Sequence, residues 1–247
     1  MVFIKRNIYI FASIALLILS VIFLYFFNTS KIKTASFSIE KDVPTIIVDA
    51  GHGGFDGGAV ASDGTVEKDI NLLISHKLKS MLQLQGFKVI MTRYDDSATD
   101  NTEDQNISYR KTSDLRNRLK LMNTTENAIF ISIHLNKFNQ TSATGLQVFY
   151  SPNTEYSKYL AQSIQQLAKE KLQHDNNRVI KQGTKSTYLL YNAKIPAVIV
   201  ECGFLSNKTE LAMLKKDEYQ SKLAFSIFCG TMDYYKKTKD NVYGYQN

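Results

Sequence analysis

Three stretches of this chain are apolar at nearly every position: "TIIV" from Thr45, "AIFISI" from Ala128 and "AVIV" from Ala197. A strand with one wet face alternates apolar and polar residues, and these do not. They are rich in β-branched residues and short, so they read as strands covered on both faces, as in a parallel sheet held between helices. Thr45–Asp49, Ala128–Ile133 and Ala197–Glu201 are the expected strands. Pro196 sits just ahead of the last, where its missing N–H does little harm. Helical patterns fill the intervals. Glu67–Gln85 carries Ile70, Leu73, Ile74, Leu78, Met81 and Leu82 at helical spacing and stops at Gly86. Ser108–Asn123, Thr154–Gln173 and Asp217–Tyr235 read as further helices, and Lys88–Thr92, Gly145–Tyr150 and Thr187–Leu190 as shorter strands. The expectation is an α/β fold in three layers: a mostly parallel, twisted sheet of about six strands with helices on both faces.

A chain of 247 residues holds one such domain and an appendage. The appendage is N-terminal. Ile8–Phe27 is uncharged over 20 residues, enough for a helix to cross the roughly 30 Å of a bilayer's hydrocarbon. Lys5 and Arg6 precede it and favour a cytoplasmic N-terminus. The run ends in Leu24, Tyr25, Phe26 and Phe27 without a small-residue cleavage site, which favours an uncleaved signal anchor over a cleaved signal peptide. The expected organisation is an anchor over 1–27, a polar linker over 28–43, one folded domain over 44–236 and a polar tail over 237–247. Everything after the anchor is then extracytoplasmic, with the membrane a partner through residues 8–27. The net charge of +7 suits an anionic surface or polymer. The basic residues are scattered, with no Arg-rich run, so nucleic acid is excluded as a partner. Cys202 and Cys229 form no CxxC pair and read as two buried free thiols.

In open α/β sheets ligands bind outside the carboxyl ends of the strands. His52 follows the first strand, in "IIVDAGHGGFDGGA"; His134 follows the third, in "SIHLN"; Glu201 closes the last, in "AVIVECGF". Glu67 opens the first helix of the domain at the same edge, and steps of 100° per residue place it on that helix's apolar stripe. A carboxylate there is costly unless something pairs with it. One histidine at a strand end is usually structural. Two at matched ends, with a buried glutamate between, point to a metal. Two His and one Glu are a ligand set for catalytic zinc that leaves a fourth position for water, whose pKa falls to about 7. The second glutamate is then free for general acid–base work. Asp49, Asp56 and Asn136 stand close enough in sequence to orient the ligands.

Other chemistries are excluded or weak. There is no HExxH motif, and the glycine run lacks the Lys-Ser/Thr of a P-loop. His76 falls opposite the apolar stripe of its helix and His174 lies in polar sequence, so both read as surface residues. The acidic stretch Asp95–Asp104 reads as a solvated loop.

"VDAGHGGFDGGA", "EKDINL", "LRNRLKLMN", "SIHLN" and "VIVECGFLSN" occur in this order. Together, over about residues 44–236, they resemble the zinc-dependent N-acetylmuramoyl-L-alanine amidases of bacterial cell walls. The resemblance implies that His52, Glu67 and His134 bind one Zn²⁺ and that Glu201 is the catalytic acid/base. It implies hydrolysis of the amide between the lactyl group of muramic acid and L-alanine, with peptidoglycan as substrate. Arg93 and Arg118 match positions where the family tends to carry arginine; they either bind stem-peptide carboxylates or pair with acidic residues inside the fold. Leu135 replaces a usual small residue and is expected to narrow the pocket rim. Ser151–Ser186 leaves little room for the helical insert that plugs the site in division-associated relatives, and no wall-binding repeats follow. A compact, anchored domain of this kind looks most like the germination-specific members of spore formers, which help prepare muramic-δ-lactam in spore cortex. That likeness implies action in the intermembrane space of the spore and control by timing, place or a regulatory protein partner. Vegetative wall cleavage and a non-catalytic wall-binding scaffold are the competing readings.

Overall fold

A computed structural model describes residues 14–23, 43–100 and 106–240. The chain divides into two compact units, Met1–Lys41 and Asp42–Asn247. In the first, residues 14–23 form a helix, α1, whose side chains are exposed. At 1.5 Å per residue that length covers about 15 Å, half a bilayer core. Among the described residues no helix is long and apolar enough to cross a membrane. The rest of the anchor expected over 1–27, and nearly all of the expected linker, lie outside the described residues.

The second unit is built on β1 (Thr45–Ala50), α2 (Glu67–Leu84), β2 (Val89–Met91), α3 (Ile107–Thr124), β3 (Ala128–Asn136), β4 (Gln147–Tyr150), α4 (Glu155–Lys171), β5 (Lys181–Gln182), α5 (Tyr188–Asn192), β6 (Ala197–Phe204), α6 (Lys208–Leu214) and α7 (Asp217–Lys239). The six strands make one sheet in the order β2-β1-β3-β6-β4-β5. The first four are mutually parallel. β4 runs antiparallel to β6, and β5 parallel to β4.

Alternate residues of each strand feed two separate cores. Ile46, Val48, Ile129, Ile131, Ile133, Val198 and Val200 face one layer, where they pack with Ile74, Leu78, Leu160, Ile164, Leu223 and Ile227 of α2, α4 and α7. Ile47, Phe130 and Ala197 face the other, with Met122 of α3 and Leu189 and Leu190 of α5. Burial on both faces is why these strands carry no polar alternation. The second layer is thinner and stops short of the strands' carboxyl ends. Asp49, Ser132, His134 and Glu201 continue its face of the sheet where the apolar side chains run out.

The elements depart from the sequence expectation in several places. Thr187–Leu190 is not a strand. Thr184 N–H donates to Thr187 Oγ1 at 2.9 Å, and Thr187 N–H donates back to the Thr184 carbonyl at 2.9 Å. That turn starts α5, and a short apolar run does not tell a buried helix from a buried strand. α6 is capped by Asn207, the residue before it, whose side chain accepts from the N–H groups of Thr209 and Glu210. β5 has two exposed residues and no apolar signal. β3 and β6 run beyond their expected ends to Asn136 and Phe204, so His134 lies within its strand and not after it, and Glu201 is not the last residue of its own. α7 continues to Lys239, past the expected start of the tail. Leu73 is 49% exposed and leaves the apolar stripe, while Leu135 is 3% exposed in the core and does not form a pocket rim. Cys202 is buried and Cys229 half-buried, both as free thiols.

α4 and α7 meet at Gly230, where an added Cβ would stand 2.4 Å from Ile164 Cα. Backbone cannot swing aside as a side chain can. Gly230→Ala is expected to lower stability by about 1–3 kcal/mol, the usual cost of overpacking, as read by denaturant unfolding; an unchanged midpoint would mean that the two helices slide apart freely.

Candidate metal centre

The site begins with a buried charge pair. Asp49, fully buried on β1, accepts from Arg118 of α3, from Ser132 Oγ at 2.5 Å and from Thr92 Oγ1 at 2.7 Å. Burial alone would raise the Asp49 carboxyl; the Arg118 guanidinium, helped by the two hydroxyls, outweighs that and holds it below its ordinary range. Arg118 also donates to the carbonyls of Ala50 at 3.1 Å and His52 at 2.7 Å, and to Asp114. Arg93 donates to the carbonyls of Ala50 at 2.9 Å, Gly51 at 3.1 Å and Lys68 at 2.7 Å. Both arginines are almost completely buried. Of the two roles open to them in the sequence, internal pairing is the one their geometry supports, and carboxylates of a substrate would find no free edge on either.

These donors clamp the turn that carries His52. Its backbone sits at φ 63°, a conformation uncommon for residues other than glycine. Held there, the imidazole points Nδ1 at Asp56 Oδ2, 2.8 Å away, and Nε2 at Glu67 Oε1, 3.3 Å away. Asp56 thus meets the ring nitrogen that is turned away from Glu67. Lys111 pairs with Asp56 from α3 at 2.8 Å. Burial works against a charged His52, but its hydrogen bonds to Asp56 and Glu67 prevail and push it up to about 9.

Glu67, the first residue of α2, is 3% exposed. Its Oε1 lies 3.0 Å from His134 Nδ1 and accepts from Leu135 N–H at 3.0 Å; its Oε2 accepts from Ala59 N–H at 2.8 Å. Burial raises its carboxyl, yet the two imidazoles outweigh burial and leave it well below the usual carboxylate range. Asn71, one turn along α2, donates to Glu67 Oε1 at 3.2 Å and to the Gly51 carbonyl at 3.3 Å. Sequence reasoning passed over Asn71, although Glu67, Asn71 and Ser75 at four-residue spacing interrupt one apolar stripe. Gly51 closes the cradle: a Cβ there would stand 2.3 Å from His134 Nε2.

His52, Glu67 and His134 offer ligand atoms that all lie within 4.8 Å of one another. A zinc ion with bonds of about 2.0–2.1 Å to nitrogen and oxygen separates tetrahedral ligand atoms by roughly 3.3 Å. The 3.0 and 3.3 Å separations from Glu67 Oε1 to the two ring nitrogens match that spacing. The donor set fits zinc. Asn136 is placed differently: its Oδ1 accepts from Lys137 N–H at 2.9 Å, within its own turn. His174 is exposed, and His76 is half-buried with Nε2 2.9 Å from the Tyr94 carbonyl.

Glu201 stands beside this cluster, its Cα in register with that of His134 on the adjacent strand. Its Oε2 is inaccessible to solvent and has no hydrogen-bond partner. Burial pushes the carboxyl up to about 7.

Residues 46–231 match the family described as N-acetylmuramoyl-L-alanine amidase, Amidase_3. The chain belongs to this family. The germination-specific N-acetylmuramoyl-L-alanine amidase of Bacillus subtilis (strain 168) is 37% identical over 195 residues, 79% of this chain and 81% of that one. Among solved structures, the CwlD amidase from Clostridioides difficile in complex with the GerS lipoprotein is 40% identical with a TM-score of 0.76, covering 78% of this chain and 98% of that one. An N-acetylmuramoyl-L-alanine amidase from Clostridium difficile 630 follows at 31% and 0.69, covering 79% and 98%. The amidase described here shares their α/β architecture.

The Asp49–Arg118 pair generates a stability prediction. Removing one partner of a buried pair leaves the other charge uncompensated and costs about 3–5 kcal/mol. Asp49→Asn is expected to lose that much in urea unfolding at neutral pH. Because the folded carboxyl lies below its ordinary value of 3.8, the pair's contribution is complete above about pH 4 and disappears as acid titrates the folded state. The gap between wild type and variant should therefore close at low pH, and a gap independent of pH would contradict the pairing.

Proposed function

We propose that this amidase is zinc-dependent and cuts the bond between the lactyl group of N-acetylmuramic acid and L-alanine in peptidoglycan, outside the cytoplasmic membrane. The observation that carries the proposal is the convergence of His52, Glu67 and His134 beside Glu201, a buried carboxylate whose Oε2 has no partner in the fold. A zinc ion held by the first three residues would supply Lewis-acid polarisation of the carbonyl and an activated water near neutral pH.

The chain's own groups do the rest. Asp56 fixes the His52 ring through Nδ1 and leaves Nε2 facing Glu67. Asn71 and the Leu135 N–H hold Glu67 Oε1, and the Ala59 N–H holds Oε2. Glu201 as carboxylate accepts a proton from the attacking water and passes it to the nitrogen of the departing L-alanine. A carboxyl near neutrality suits both halves of that transfer.

The germination-specific relative supports a role in spore-cortex maturation and germination. The relative solved with a lipoprotein supports control through a protein partner. The uncharged run over residues 8–27 supports membrane anchoring of the exported domain.

Digestion of purified peptidoglycan by the full chain, read by mass spectrometry, is expected to release stem peptides with free L-alanine amines. A chelator should abolish release and zinc should restore it. Glu201→Gln should slow it by roughly 10²–10⁴-fold, the usual worth of a general acid–base group. Cleavage at another amide, or none with zinc bound, would overturn the reading. The acid limb of the rate profile should fall at or below about pH 7, because Glu201 loses its capacity to accept a proton as pH drops and a nearby cation would lower its titration further.

A further inference from the structure

With Arg93 and Arg118 locked inside the fold, the amidase still needs a way to recognise anionic peptide. We infer that Arg178 is that group: it binds the carboxylate one residue beyond the cleaved bond and makes the enzyme selective for it. The inference rests on the amidase reading given above.

Arg178 lies between α4 and β5, in the polar stretch "QHDNNRVIKQG", and is only half-buried. Three contacts fix its guanidinium. Nε donates to the Thr144 carbonyl at 2.6 Å, Nη1 donates to Gln147 Oε1 at 3.2 Å, and the plane lies 4.4 Å from the ring centroid of Phe204. Phe204 is fully buried and braced by Phe138, their centroids 4.9 Å apart. A guanidinium has five N–H donors. Two are used here, and Nη2 has no hydrogen-bond partner. The group is therefore oriented and still has an edge free for a carboxylate.

Its position relates it to the chemistry. Gln147 lies directly opposite Glu201 on the antiparallel strand, and opposed residues present their side chains on the same face. Gln147 is itself 2% exposed and held by a second bond, from Nε2 to the Val179 carbonyl at 2.8 Å. Arg178 is thus one rigid side chain away from the Glu201 position. Beside it, Phe138, Thr144, Asp175 and Asn176 line an open groove of about 410 Å³ that also contains Arg178, its one basic side chain. In peptidoglycan stems the residue after L-alanine is a γ-linked D-glutamate, whose α-carboxyl is either free or amidated. A fixed arginine held by the side chain opposite Glu201 would read that difference.

The test compares two soluble muramoyl tripeptides that differ only in a free or amidated glutamate α-carboxyl. With the full chain and zinc, wild type should favour the acid. Arg178→Gln should lower kcat/KM for the acid by roughly 10- to 100-fold, the worth of a charged hydrogen bond, mainly through KM, and leave the amide within about threefold. Arg178→Lys should recover part of the loss. Equal effects on both substrates would overturn the inference and mark Arg178 as a structural brace for Phe204; no effect on either would overturn it too. Calorimetric binding of the released tripeptides, acid and amide, reads the same contact without turnover. A wild type that binds both equally refutes carboxylate recognition. Selective binding without hydrolysis would support Arg178 and count instead against the amidase reading.

Discussion

The pairing of Asp49 with Arg118 is the constraint on which the site depends. It joins β1 to α3 inside the protein, and the same guanidinium takes up the carbonyls of Ala50 and His52. Without such donors the turn after β1 would have to satisfy buried carbonyls with water. With them, the backbone can hold His52 in a left-handed conformation that few side chains tolerate. The cost of burying two charges is offset only because every neighbouring polar group contributes: Ser132, Thr92 and Asp114 all bond to one or the other. The polar network lies under His52, Glu67 and His134, on the face of the sheet where the thinner apolar layer ends.

The four central residues were legible because their signals are local. His52 and His134 stand at or near the ends of apolar strand runs, Glu201 stands within such a run, and Glu67 occupies the buried stripe of a regular helix. Glu67, His134 and Glu201 are polar groups where the pattern demands apolar ones, and His52 is an imidazole in a run of glycines. Asp56 was legible as a neighbour of His52 in sequence. Arg93 and Arg118 were not resolved, because whether an arginine turns inward depends on carbonyls presented by distant turns. Asn136 stands near His134 in the chain but spends its side chain on the next residue's N–H. Proximity in sequence says little about a side chain at a strand end.

The order and direction of strands were less accessible. The run at Gln147–Tyr150 reads as a strand in either orientation, and nothing in its residues reveals that it lies antiparallel to β6. Arg178 and Gln147 were missed for that reason: only the folded sheet brings Gln147 opposite Glu201. α5 shows a different limit. Its buried leucines serve the second core equally well from a helix or a strand, and the threonine-rich turn ahead of it decides.

The reversal of β4 and β5 also changes which loops meet the chemistry. In an all-parallel sheet only loops that follow strands reach the active edge. Here the segments leading into β4 and β5, around residues 137–146 and 172–180, reach it as well. Neither segment carries His52, Glu67, His134 or Glu201. The fold thus separates the proposed reacting groups, rooted in β1, α2, β3 and β6, from a border built of these two incoming segments. A change of length or charge in that border would alter what lies beside the site without moving any of the four proposed reacting groups.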